Sequence, residues 1–248
     1  MKNQYKIIVS YDGTNYSGWQ IQPHKKTVQQ TLQDAFFTAF STKIIIAGAS
    51  RTDAGVHADG QVAAFKTTLD IPQKKLLFAW NNVLPLDIAI VFLEQDNSFN
   101  PRRNIVEKEY HYYVYTKRPQ PFDARFGFYY SYSFDKKLLE KALQTFVGTH
   151  DFRSFYTGDE QQMTVRYISS ITVQECKKNG SFCIVVKGPG FLRHMIRRIV
   201  GASLYIASQK EDKVSLLKKA LEEKNPNQSL LNAPPQGLRL YKIRYKEL

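Results

Sequence analysis

The sequence predicts an α+β protein of two ferredoxin-like (RNA-recognition-like) halves, forming a broad antiparallel sheet with helices packed on one face and a central cleft. Three observations predict it. From Tyr5 to Glu94 the apolar pattern runs strand, helix, two strands, helix, strand, which is the split βαβ order. From Lys108 onward the same alternation returns with insertions. Between them "NSFNPRRN", Asn97 to Asn104, is polar, holds a proline and two adjacent arginines, and divides the chain into 1–103 and 104–248.

Each element has its own signal. "YKIIVS" alternates as a strand and runs into a glycine-punctuated loop, "YDGTNYSGWQ", whose Tyr11, Tyr16 and Trp19 could stack on bases but are expected to pack beneath the loop. In "TVQQTLQDAFFTAF" the residues Val28, Leu32, Ala35, Phe36, Ala39 and Phe40 share one helical face, and Thr27 with Gln30 forms a capping box. "KIIIAG" reads as a short buried strand and "QVAAFKT" as an alternating one. "DIPQKKLLFAWNNVLP" is a helix with Asp70 near its cap, Pro72 in its first turn and Pro85 at its end, and "DIAIVFLE" is a strand.

In the second half "KEYHYYVYT" puts Tyr110, Tyr112 and Val114 on one face of a strand and His111, Tyr113 and Tyr115 on the other. A Pro- and aromatic-rich insertion, Arg118 to Tyr132, precedes the helix "DKKLLEKALQTFVG". "VRYISSITVQE" and "SFCIVVKG" read as a hairpin around "KKNG". The run from Phe191 to Ser208 is helical, with Leu192, Met195, Ile196, Ile199 and Ala202 on one side and Arg193, His194, Arg197 and Arg198 opposite. Such a charged face is ordinarily solvated, but in a basic chain it is also a candidate functional surface. A short polar helix near Val214 to Leu221 and a last strand, "GLRLYKIRYKEL", finish the chain.

Composition narrows the partners. Over 248 residues there are 35 Lys plus Arg against 22 Asp plus Glu, a formal charge of +13, which points to a polyanion such as nucleic acid. No apolar run approaches the roughly 20 residues of a spanning helix and no signal-peptide pattern is present, so a cytoplasmic protein without membrane attachment is expected. Cys176 and Cys183 make no disulfide framework, and His24, His57, His111, His150 and His194 are scattered without metal-ligand spacing.

The candidate active site is "ASRTDAGVHADGQVAAF", Ala49 to Phe65. An Asp two residues before a Gly is ordinarily a turn residue, with Gly55 and Gly60 shaping the bend. Here Asp53 has a cation two residues earlier, Arg51, and an imidazole four residues later, His57.

These blocks resemble a known family. "RTDAGVHA" resembles the signature of the tRNA pseudouridine synthase A family, and "YDGTNYSGWQ", "TVQQTL", "KEYHYYVY", "GFLRHMIRRIVG" and "APPQGL" resemble its other blocks, in its order, from about Tyr5 to Leu240. The resemblance implies an isomerase that turns uridine into pseudouridine in the anticodon stem-loop of tRNA, working as a homodimer without metal or organic cofactor. It also implies that Asp53 is catalytic, that Arg51 precedes it in the motif, that Tyr110 stacks on the target base, that Arg197 pairs with the catalytic carboxylate across the cleft, and that Leu238 is an apolar neighbour of the site. Arg102, Arg103, Arg193 and Arg198 are candidate contacts to the RNA backbone. Ser50 stands where the motif is expected to carry Gly.

The chemistry suits these residue types. The C1′–N1 bond breaks, the base turns, and C1′ rejoins at C5. An ionised carboxylate can attack C1′ or remove the C2′ proton, and a guanidinium nearby favours that ionised form. The uridine must leave its stack, and an aromatic ring can receive it. A noncatalytic basic RNA-binding module would share the charge and the aromatics, but it gives no reason for a carboxylate within a basic loop, where it repels phosphate.

Overall fold

The computed structural model describes residues 2–158, 163–176, 180–227 and 231–246. Among them, no helix is long and apolar enough to cross a membrane. The chain forms two compact units, Met1–Val106 with Arg239–Leu248, and Glu107–Leu238.

In the first unit, strand β1 (Asn3–Tyr11) buries Tyr5, Ile7, Val9 and Tyr11 by strict alternation. Helix α1 (Val28–Phe40) starts where Thr27 Oγ1 accepts the Gln30 amide. The reciprocal half of the expected capping box is missing, because the Gln30 side chain donates to Asp34 Oδ1 at 2.6 Å instead. Strand β2 (Ile46–Gly48) is shorter than "KIIIAG" suggested, Ile45 being largely exposed, and β3 (His57–Thr67) pairs antiparallel with both β2 and β1. Helix α2 (Gln73–Val83) begins after Pro72, and Asp70 makes no cap to it. Strand β4 (Ile88–Gln95) then pairs antiparallel with β1.

Aromatic packing sets which face the helices cover. Tyr5 and Phe65 are register partners stacked at 5.3 Å. Phe36 of α1 and Trp80 of α2 meet Phe65 edge-on at 5.4 and 5.2 Å, and Trp80 Nε1 donates to the Leu32 carbonyl. Both helices therefore lie on the Tyr5–Phe65 face, and the core sits between them and the sheet.

In the second unit, β5 (Ile105–Tyr115) buries Tyr110, Tyr112 and Val114, the face the alternation singled out. The insertion contributes β6 (Phe128–Tyr129), parallel to the end of β5. Helix α3 (Lys136–Gln144) is capped by Asp135, whose carboxylate accepts the Lys137 and Leu138 amides. Strands β7 (Gly148–Asp151) and β8 (Val165–Ile168) pair as a small separate sheet, while β9 (Ser170–Glu175) and β10 (Ser181–Gly188) join β5 in the order β5-β10-β9.

The expected single strand Val165 to Glu175 is thus broken. At Ser169 the amide bonds to Lys187 O, and the residues before it turn away to β7. Of the "KKNG" turn, 177–179 lie outside the described residues, and Gly180 has φ +67°.

Helix α4 (Met195–Ala207) packs on α3 and is buried nearly all round. This corrects the two-faced helix expected from Phe191: Arg193 and His194 precede the helix, and Arg197 is only 9% exposed. Arg197 is buried with its Nε on the Ala233 carbonyl, and half-buried Arg198 donates through Nη1 to Ser154 O, so the charges do not form one solvated face. Helix α5 (Ser215–Glu223) follows.

The last strand, β11 (Leu238–Tyr245), pairs parallel with β3 through Arg239–His57 and Leu240–Ala58. Residues from Arg239 onward therefore belong with the first unit, unlike the 104–248 half drawn from the sequence. In the first unit the sheet order is β4-β1-β3-β11, with β2 also on β3.

Candidate active site

The loop from Ala49 to Val56 links β2 to β3, and short bonds fix it along its length. Ala49 N donates to Val62 O at 2.8 Å. The Gln61 side chain, fully buried, holds both main-chain groups of Ser50, accepting its amide at 3.3 Å and donating to its carbonyl at 2.7 Å. Ser50 adopts no positive φ, so a residue with a side chain is accommodated where Gly was expected.

The turn itself is made of backbone. Val56 N donates to Asp53 O at 3.1 Å and Gly55 has φ +76°, the arrangement of a type II turn with glycine at its third position. Asp53 is half-buried, Arg51 and Ala54 are exposed, and Thr52, Val56 and His57 are buried. Gly60, expected in the bend, lies within β3, where an added Cβ would meet the Tyr241 carbonyl. Its lack of a side chain allows β11 to approach.

A second loop frames the first. Trp19 N donates to Thr52 O at 3.1 Å, Gly55 N to Tyr16 O at 3.2 Å, and Tyr11 Oη meets Thr52 Oγ1 at 2.8 Å. Gly18, at φ +89°, passes so close that a Cβ would stand 2.5 Å from Thr52 O. His57 Nδ1 accepts the Gly13 amide at 3.0 Å as an unprotonated nitrogen and lies 3.1 Å from Asp12 Oδ1, to which it can donate only when that nitrogen is protonated. Tyr11, Tyr16 and Trp19 are each less than 5% exposed, so all three pack, as expected, beneath the loop. Tyr16 also donates to Asp87 Oδ1 at 2.6 Å, and burial with that carboxylate pushes its phenol well up. Thr52 and Gln61 were not foreseen as supports, although both stand within the stretch from Ala49 to Phe65, nor was the bond from Tyr11 to Thr52.

In the second unit Tyr110 is buried, its ring edge-on to Phe191 at 5.4 Å. Arg197 Nε donates to Ala233 O at 2.8 Å, and Ala233 N donates back to Arg197 O at 3.1 Å. Tyr112 Oη donates to the neighbouring Pro234 O at 2.8 Å, and burial pushes this phenol well up against the opposing pull of the Arg197 cation. Two side chains thus hold the "APP" segment, which leads into buried Leu238. Arg198 is half-buried, with Nη1 donating to Ser154 O at 3.3 Å, and burial lowers its pKa. Arg193 is exposed.

In the first unit Arg103 is exposed, and Arg102 Nε donates to Gly48 O at 3.3 Å. Asp53, Arg51, Arg102 and Arg103 therefore belong to one unit, and Tyr110, Arg193, Arg197, Arg198 and Leu238 to the other. Among the described residues no three His, Cys, Asp or Glu side chains are grouped as metal ligands would be. Neither Cys176, half-buried, nor Cys183, buried, is in a disulfide.

The family model described as tRNA pseudouridine synthase matches residues 7–101 and 142–246. A relative named tRNA pseudouridine synthase A 1, from Protochlamydia amoebophila, is 37% identical over 98% of this chain and 96% of its own. Proteins named tRNA pseudouridine synthase A from Thermoanaerobacter sp. and Pseudothermotoga lettingae are 40% and 36% identical, over 96% and 98% of this chain and 98% and 99% of theirs. With matches of this extent, laid over a loop whose turn is closed by the backbone of its own Asp, the chain belongs to the tRNA pseudouridine synthase A family.

Proposed function

We propose that this protein isomerises uridine to pseudouridine in tRNA, acting with the carboxylate of Asp53 on a uridine extruded from the anticodon arm at about positions 38 to 40. The observation that carries the reading is the turn at Asp53. Its main-chain carbonyl closes the bend, and the surrounding loop is bonded at Ala49, Ser50, Thr52 and Gly55. A carboxylate on so fixed a backbone is pre-organised, as attack at C1′ or removal of the C2′ proton requires.

Tyr110 receives the extruded base by stacking, which is worth roughly 1 to 3 kcal/mol. Arg197 pairs with the catalytic carboxylate and favours its ionised form. Its Nε is already committed to Ala233 O, so the guanidinium plane is oriented before substrate arrives. Arg51 fills space vacated by the base or holds phosphate, and Leu238 supplies an apolar wall. Arg102, Arg103, Arg193 and Arg198 meet the RNA backbone, in keeping with the formal charge of +13. A cytoplasmic homodimer completes the proposal. A noncatalytic RNA-binding role has no use for the Asp53 carboxylate.

Asp53→Asn keeps the size of the side chain and removes the charge. The expected outcome is tRNA binding within about twofold of wild type and no pseudouridine on nucleoside analysis of the incubated transcript; substantial residual isomerisation would overturn the role given to Asp53.

A further inference from the structure

The first unit carries a separate cavity of about 370 Å³, and none of its lining residues belongs to the Asp53 loop. Its apolar part is the ring pair Phe99 and Tyr245, edge-on at 5.2 Å. Its polar part comes from Gln4, the 96–104 segment and Lys246. That segment is held in shape by side-chain bonds: Asp96 Oδ1 accepts from Ser98 N and Oγ at 2.9 and 2.7 Å, and Tyr245 Oη, from β11, donates to Pro101 O at 2.8 Å.

The direction of two amides decides what the cavity can bind. Asn97 Oδ1 accepts the Gln4 amide and Asn100 Oδ1 accepts the Arg102 amide, each at 2.9 Å. Those bonds fix the carbonyl end of each side chain, so the other end is an NH2 donor. Arg103 and Lys246, also lining the cavity, are donors only. The single carboxylate in the lining, Asp96, accepts both Ser98 bonds through Oδ1. Alongside the amides of Gln4 and Asn104, the lining sets two amide donors and two cations beside an aromatic pair, which complements a phosphate attached to a ring system. At about 370 Å³ the space falls in the range of small-ligand pockets. Arg102, next in sequence to Arg103, is bonded to Gly48 O at the end of β2, so the cavity segment and the Asp53 loop hang from the same strand.

We propose that this cavity is a nucleotide subsite, holding one phosphate-bearing residue of the RNA substrate other than the reacting uridine. The subsite rests on the reading that tRNA is the substrate and is independent of the role given to Asp53.

The test measures binding in the Asp53→Asn background, so that turnover plays no part. Asn97→Asp combined with Asn100→Asp keeps both oxygens that accept backbone amides and replaces two donors by negative charge. Its affinity for a tRNA transcript is expected to fall about tenfold at moderate salt, and Arg103→Ala, an exposed position, to make the slope of log affinity against log salt shallower by about one. Unchanged affinity and slope in both variants would overturn the subsite. If the parent protein itself fails to bind the transcript, the tRNA reading falls and the subsite with it. Titration with uridine 5′-monophosphate, followed through the Asn97 and Asn100 side-chain NH2 signals, separates the two sources of a nucleotide. Signals that move with the mononucleotide while tRNA affinity is untouched would assign the cavity to a free nucleotide and overturn the RNA subsite.

Discussion

The hydroxyls of Tyr11 and Thr52 meet at 2.8 Å in a buried environment, one residue before Asp53. Tyr11 ends β1 and Thr52 stands in the loop between β2 and β3, so this bond ties the candidate catalytic loop to a strand paired on both sides, by β3 and β4. Tyr11→Phe leaves the Thr52 hydroxyl without this partner and is expected to destabilise the protein by about 1 to 3 kcal/mol. Adding Thr52→Val removes the orphaned group and should restore part of that loss. Urea unfolding of both single variants and the double variant checks it, and a double variant equal to the sum of the singles would show that the two hydroxyls are not coupled.

Gly18 passes the same loop at φ +89°, with room for no side chain between it and Thr52 O. Gly18→Ala adds both backbone strain and a main-chain clash, expected to lower stability by about 1 to 3 kcal/mol and, through displacement of Asp53, to lower kcat roughly tenfold or more. Gly190→Ala is the control, because nothing lies within 4 Å of its added Cβ. Thermal melts and single-turnover rates of the two variants should separate clearly.

Local pattern carried the elements whose cause is local. The α1 face of Val28, Leu32 and Phe36, the Thr27 cap, and the inward set Tyr110, Tyr112 and Val114 all follow from residues within a few positions of one another. The site was legible as a motif around Asp53, but its supports were not, since Gln61 on Ser50 and His57 on Gly13 become contacts only after β3 folds back. Two misreadings share a cause. Periodicity separated the charges of α4 from its apolar side, yet Arg197 is buried because Ala233 O, 36 residues away, accepts its Nε. Likewise β11 joins β3 across some 180 residues, a pairing that no local signal encodes, and Gly60 was read as a bend when its smallness serves that pairing.

Lys108 lies two residues before Tyr110 on β5, and burial pushes its ammonium down to about 8. In the unfolded chain it titrates near 10.4, so below about pH 8 both states hold the proton and the folded state bears the full penalty. Between about pH 8 and 10.4 the unfolded state binds more protons, and this group's contribution makes stability rise with pH. Lys108→Met is therefore expected to be more stable than wild type at pH 7, by on the order of 2 kcal/mol, with the gap closing toward pH 10. Denaturant unfolding of both proteins across that window checks the sign. A gap that widens with pH would contradict the assignment.

Arg197 is the residue whose geometry most constrains its role. A lysine at this position keeps the charge but has no Nε to donate to Ala233 O and no planar fork. Arg197→Lys should therefore destabilise the protein by about 1 kcal/mol, through the "APP" segment. If the guanidinium orients toward the catalytic carboxylate, the same variant should lower kcat by more than about tenfold with tRNA affinity changed by less than about twofold, the signature of an interaction needed for the chemical step rather than for binding. If instead kcat holds and KM rises, Arg197 serves the RNA backbone, and the pairing with Asp53 is wrong. Single-turnover rates and transcript binding, measured on the same preparation, separate the two.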